Sequence, residues 1–194
     1  QPIINTIEKL SNYTYGTDEE KDKSVRIIAD HSRSSVFILG DQKGVTPDRV
    51  GAGYVLRRLI RRAVRHGMKL GIEESFLAKI ALSVVENFCC AYPELSDNKD
   101  KICNELTKEE EKFRQTLKKG EAEFQKLLPN LMKNPKKEIS GKVAFRLYDT
   151  FGFPLELTEE LGAENGFTVD KEGFKEAERK HQEASKSADA GAAK

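Results

Sequence analysis

The sequence predicts an all-α fold, mainly helical with room for one short strand pair, arranged as an irregular helical bundle with one long helix. Three observations predict it. A helix-start signal at residues 17–20 is followed by apolar residues at helical spacing. A basic stretch over residues 53–67 divides into an apolar half and an arginine half when wound at about 100° per residue. A polar stretch beyond residue 98 carries a thin apolar seam at four- and seven-residue steps.

The elements follow in chain order. Thr17-Asp18-Glu19-Glu20 sets a capping hydroxyl three residues ahead of a glutamate, and Val25, Ile28 and Ala29 follow on one face, so a helix starts here. Val36-Phe37-Ile38-Leu39 is a short apolar run closed by Gly40-Asp41. It suits either a buried strand or the tail of the preceding helix, and the expectation is a short strand. Residues 44–53, with Pro47, Asp48 and three glycines, form a loop into a second helix beginning near Tyr54.

A third helix is expected from Glu74 to Phe88, and Pro93-Glu94 with Asp97 marks the break before a long helix from Asn98 to Leu128. Its seam is Ile102, Leu106, Phe113, Leu117, Phe124 and Leu128. Pro135 and the lysines around it make a linker. Ser140 then opens a short helix through Val143, Leu147 and Tyr148, stopped by Gly152 and Pro154. Two more helices end at Gly166 and in the Ala/Ser/Lys-rich terminus. The expected organisation is a helical lobe over 1–134, a smaller helical lobe over 135–185, and a disordered tail over 186–194.

Composition bounds the function. With 194 residues and 38% hydrophobic content, the chain can bury one core, or one core and a satellite. Lys+Arg 33 against Asp+Glu 32 leaves a net charge of +1, so any case for a polyanionic partner must come from local clustering. Cys89, Cys90 and Cys103 are an odd set with a vicinal pair, which fits a reducing cytoplasm better than a secreted disulfide framework. No apolar run approaches the roughly 18 residues that span a bilayer, so no membrane partner is expected. The chain opens on Gln1 rather than Met and reads as an excised segment.

Arg57, Arg58, Arg61, Arg62 and Arg65 fall within an arc of about 140° on the basic helix, opposite Val55, Leu56, Leu59, Ile60, Ala63 and Val64. Five guanidinium groups on one surface repel one another unless phosphates or carboxylates neutralise them, and guanidinium suits bidentate phosphate contact. Two readings stay open. The face meets a nucleic-acid backbone, or it pairs with glutamates of the long helix such as Glu109 to Glu111. His66 has no second ligand at metal spacing, and Gly51-Ala52-Gly53 lacks the lysine and hydroxyl of a phosphate loop, so a tight turn is the reading there. His31, within Ala29-Asp30-His31-Ser32-Arg33, suits a packed histidine better than an RNA contact.

Three stretches together resemble the middle domain of the alanyl-tRNA synthetase family. They are Ile27-Ile28-Ala29-Asp30-His31-Ser32-Arg33-Ser34, then Gly53-Tyr54-Val55-Leu56-Arg57-Arg58 with Ile60-Arg61-Arg62-Ala63-Val64-Arg65, and finally Ala144 through Thr158 with Tyr148-Asp149-Thr150-Phe151-Gly152-Phe153-Pro154 at its centre. The resemblance implies a tRNA-recognition module of an ATP-dependent ligase, with catalytic and editing domains elsewhere in the same polypeptide. It implies ATP and Mg in the first of those and zinc in the second, and no cofactor, metal or catalytic residue in this segment. Its partner would be the acceptor stem of alanine tRNA, whose G·U pair leaves a guanine amino group available in the minor groove. Asp149 matches the family's acidic reader, although a carboxylate before Gly and Pro also suits an Asx cap of the turn. Arg62 carries over with the basic helix. Gly51 stands where bacterial members have an asparagine reader and Ala52 where an arginine is often found. A backbone group of the glycine loop, or Arg49, would then take that part. The competing reading is a helical scaffold whose arginine face docks an acidic protein surface.

Overall fold

The computed structural model describes residues 1–48 and 50–192, with side chains at all of these except 182 and 184–192. The chain divides into two compact units, Gln1–Arg114 and Gln115–Lys194. The division falls inside the long helix, whereas the sequence reading set its boundary at the Pro135 linker. The 186–194 stretch lies outside the residues whose side chains are described.

The first unit holds α1 (Pro2–Ser11), α2 (Glu19–Gly40), α3 (Gly51–Lys69), α4 (Leu77–Phe88), α5 (Pro93–Asp97) and the opening half of α6 (Lys99–Met132). Helix α1 has no counterpart in the sequence reading, although Pro2 at its first turn and Ile3, Ile4, Ile7 and Leu10 at helical spacing are the signal for it. Ile7 is buried. Helix α2 starts one residue later than the capping box suggested, because Asp18 is the N-cap and accepts a hydrogen bond from the Lys21 N–H at 3.0 Å.

The strand expected at residues 36–39 is the last turn of α2, with Val36 and Leu39 fully buried. A four-residue apolar run cannot tell a strand from a helix end, and here the partner surface decides. Val25, Ile28, Val36 and Leu39 pack with Leu56, Ile60, Ala63 and Val64 of α3 into one core, to which α4 adds Ile80, Ala81 and Val84. Burying a side chain of this size contributes about 1.5–3 kcal/mol, enough to fix the local conformation.

The second unit holds the closing half of α6, strand β1 (Glu138–Ile139), α7 (Gly141–Phe151), α8 (Leu155–Glu164), strand β2 (Thr168–Val169) and α9 (Lys171–Ala192). The two strands pair in parallel, Glu138 with Thr168 and Ile139 with Val169. That pair is the strand content of the described residues, and the fold is otherwise helical, as expected. Ser140 precedes α7 and Gly152 ends it, with the Gly152 N–H bonded to the Leu147 carbonyl. Phe124, Ile139, Ala144, Leu147, Phe153, Leu157 and Phe174 make the core. At Gly141 there is no room for a β-carbon, because the backbone of Gly173 and Phe174 stands where it would go. The start of α9 therefore lies directly on the start of α7.

Candidate nucleic-acid interface

Helix α3 presents less of its arginine half than the wheel suggested. Arg58 is exposed and Arg62 half-buried, but Arg61 and Arg65 retain only 1% and 3% of their surface. The reason lies on α6. Glu109 accepts a hydrogen bond from Arg61 Nε at 2.7 Å and stands 3.5 Å from Arg57 Nε, and the Arg61 guanidinium lies over the Phe113 ring at 4.9 Å. That one carboxylate meets two of the five arginines, Arg57 and Arg61, from inside the protein. Arg61 with it, and Arg65 by its own burial, are interior groups and not members of an outward face. Arg58 lies over the Tyr54 ring at 6.0 Å, near the open end of the helix.

A second glutamate explains the neighbouring helix start. Glu110 is fully buried and accepts from the N–H groups of Phe76 at 3.1 Å and Leu77 at 2.9 Å, capping α4, which has no side-chain cap of its own. Arg114 donates to Glu110 at 3.0 Å and also to the carbonyls of Glu73 and Glu74. Burial pushes the Glu110 carboxyl up, against the Leu77 N–H and Arg114, which pull it down. The seven-residue step in the apolar seam between Leu106 and Phe113 is where these two carboxylates sit. The second such step, between Leu117 and Phe124, is filled by Gly120 against the Phe153 ring. A missing apolar turn in an otherwise regular seam was the available signal for buried residues of another kind.

On the other flank of α3, His66 Nδ1 lies 3.0 Å from Ser24 Oγ in a buried contact with α2. His31 is largely covered, and burial, then the nearby Arg62 charge, hold its pKa below the ordinary value for histidine. Gly51 opens α3 at φ +59°, in the left-handed region, and the space a side chain would occupy is open. Only glycine, or a residue such as asparagine that tolerates this conformation, suits the position. Arg49 lies outside the described residues.

In the second unit, Asp149 lies on the exposed face of α7, with 46% of its side chain accessible. The turn after α7 is closed by backbone, since the N–H groups of Gly152 and Phe153 both reach the Leu147 carbonyl, so it does not depend on an Asx cap from Asp149. Lys142 and Arg146 are exposed on the same side of the helix, at i−7 and i−3 from Asp149. Arg146 pairs with Glu123 at 3.0 Å while 63% of its side chain stays accessible. His181 of α9 brings Nε2 to 3.8 Å from the Asp149 carboxylate. The sequence reading missed Lys142, Arg146 and His181. The first two were legible from helical spacing around Asp149, and the third depends on how α9 lies against α7.

Among the described residues no group of three or more His, Cys, Asp or Glu side chains is placed to hold a metal ion, and no helix is long and apolar enough to cross a membrane. All three cysteines are free thiols.

The geometry defines a class first: a predominantly α-helical protein whose polar chemistry lies on helix faces, carried by α3 in one unit and by α7 and α9 in the other. Residues 1–194 match the family described as tRNA synthetases, class II (A), and the chain belongs to that family. Curated relatives bear the name alanine–tRNA ligase. The protein from Treponema denticola is 59% identical over 184 residues, that from Borrelia hermsii 53% over 186, and that from Treponema pallidum 50% over 185. These alignments cover 95%, 96% and 95% of this chain and 31% of each relative, so the chain spans just under a third of the length of these three curated relatives.

Proposed function

We propose that this chain is the part of an alanine–tRNA ligase that grips the acceptor stem of its tRNA, with Asp149 accepting a hydrogen bond from the guanine amino group of a G·U pair. The observation that carries this reading is the exposed Asp149 carboxylate, flanked by Lys142 and Arg146 on one helix face. In A-form RNA a protein reaches base edges through the wide, shallow minor groove, where the guanine amino group is the distinguishing donor. A carboxylate flanked by cations suits that edge and the phosphates beside it.

On α3 the outward arginines, Arg58 and Arg62, take the phosphate-contacting role, with Arg57 at the edge of the internal pair, and Gly51 marks the loop that approaches the stem. Arg61 and Arg65 support that surface from within. ATP and Mg would then act in a catalytic domain of the same cytoplasmic polypeptide and zinc in an editing domain, neither of which requires residues described above.

The test is equilibrium binding of acceptor-stem hairpins carrying G·U or G·C, at several salt concentrations. Asp149→Ala should abolish the preference for G·U, a loss of about tenfold, while Arg58→Ala weakens both stems alike and lowers the salt slope by about one. A G·U preference that survives in Asp149→Ala overturns the assignment. Binding without salt dependence would point instead to a surface that docks protein.

A further inference from the structure

We propose that His181 is a second specificity-determining residue of the Asp149 site, donating a hydrogen bond from its imidazole to a ribose 2′-hydroxyl beside the guanine whose amino group Asp149 accepts. The inference rests on the reading of Asp149 given above.

The two side chains come from different helices, 32 residues apart, and meet at the surface with Nε2 and Oδ1 separated by 3.8 Å. About half of each remains accessible, 53% for His181 and 46% for Asp149, so the pair is presented outward. The imidazole is held from below. Its ring rests on Phe145 at 5.5 Å, Phe145 meets Phe174 edge-on at 5.8 Å, and Tyr148 meets Phe174 at 5.7 Å. The close approach of α7 and α9 at Gly141 and Gly173 fixes the same spacing from the other end. A lone surface contact between an imidazole and a carboxylate contributes little by itself. Resting on the aromatic cluster that closes this core, the imidazole is held at a set position, as a ligand-contacting side chain requires.

The chemistry of the two groups is complementary. A carboxylate only accepts, whereas an imidazole N–H donates. The minor groove of an RNA helix sets a 2′-hydroxyl, which can accept, close to the guanine amino donor. An acceptor and a donor side by side therefore read two features together, the base through Asp149 and the ribose through His181. Asp149 alone would not distinguish RNA from DNA, because the guanine amino group is present in both. His181 supplies that distinction.

The experiment measures binding of the full chain to four hairpins: one with G·U, one with inosine replacing that guanine, and two with a single 2′-deoxy substitution at either nucleotide of the pair. The wild type should lose roughly fivefold on one of the deoxy stems. His181→Ala should lose a similar factor on the all-ribose stem, respond no further to the deoxy substitution, and keep its preference for guanine over inosine. His181→Gln, which retains a donor, should recover part of the affinity. Asp149→Ala should lose the guanine preference and keep the deoxy sensitivity. If His181→Ala binds with wild-type affinity, or still loses the same factor on the deoxy stem, the His181 assignment is overturned and the Asp149 reading stands. If Asp149→Ala keeps its preference for guanine over inosine, the reading itself fails and the His181 site with it.

Discussion

Arg61 and Glu109, 48 residues apart, meet at 2.7 Å inside the first unit, and Arg61 heads the fully buried side chains there by volume. Removing Arg61 takes from the buried Glu109 carboxylate its nearer cation and leaves Arg57, 3.5 Å away, to offset the charge. Arg61→Ala should therefore cost about 3 kcal/mol of stability, the lower end for breaking a buried pair, whereas Arg58→Ala, at the surface, should stay within about 0.5 kcal/mol. Urea unfolding of the two variants measures the contrast. Comparable small losses in both would show that Glu109 does not depend on Arg61.

Glu110 holds the first N–H groups of α4 from a different helix. Glu110→Gln keeps the shape and removes the charge that both the helix start and Arg114 engage. A loss of about 1–3 kcal/mol is expected, accompanied by faster amide exchange at Leu77 and Phe76. Unchanged exchange at those two amides would contradict the capping role.

His31 links stability to pH. Burial and the Arg62 charge depress its folded-state pKa, so below about pH 6.5 the unfolded chain binds a proton more readily than the folded one. The associated stability is present above the ordinary histidine pKa and is lost as pH falls through the depressed folded value. Thermal unfolding followed from about pH 7.5 to 5.5 should show a falling midpoint, and His31→Gln should flatten that fall. An identical slope in the variant would assign it to other groups.

Gly51 tests the backbone at the head of α3. Gly51→Asn places a residue that tolerates positive φ into open space, so stability should change by less than about 0.5 kcal/mol, while Gly51→Val should lose about 1–3 kcal/mol to strain. Calorimetric midpoints of the two variants decide this. If the asparagine variant also gains affinity for a G·U stem, the loop faces the RNA.

Much of the fold was legible because helices announce themselves by period and punctuation. The Ser140 start and Gly152 stop of α7 fall where the sequence placed them, and five of the six seam residues on α6, Ile102 to Phe124, are buried. Helix α1 was missed for want of a reading of Ile3, Ile4 and Ile7, and the run at 36–39 was misjudged because four apolar residues read alike as a strand or as the last turn of a helix packed on α3. The candidate site was legible in part. Asp149 could be found from its motif, and its exposure follows from its place opposite Ala144 and Leu147 on α7. The burial of Arg61 and Arg65 could not be seen from α3 alone, since a helical wheel knows its own apolar side but not where a facing helix will supply a carboxylate.

The two-residue strands β1 and β2 are small, yet each sits immediately ahead of a helix, α7 in one case and α9 in the other. Their pairing sets the phase of both helices at once. One residue inserted after Ile139 would turn every side chain of α7 by about 100° and advance it by about 1.5 Å. Asp149 would then swing away from His181 while the ladder itself remained paired, a frameshift in three dimensions that leaves each element intact and scrambles what they display together.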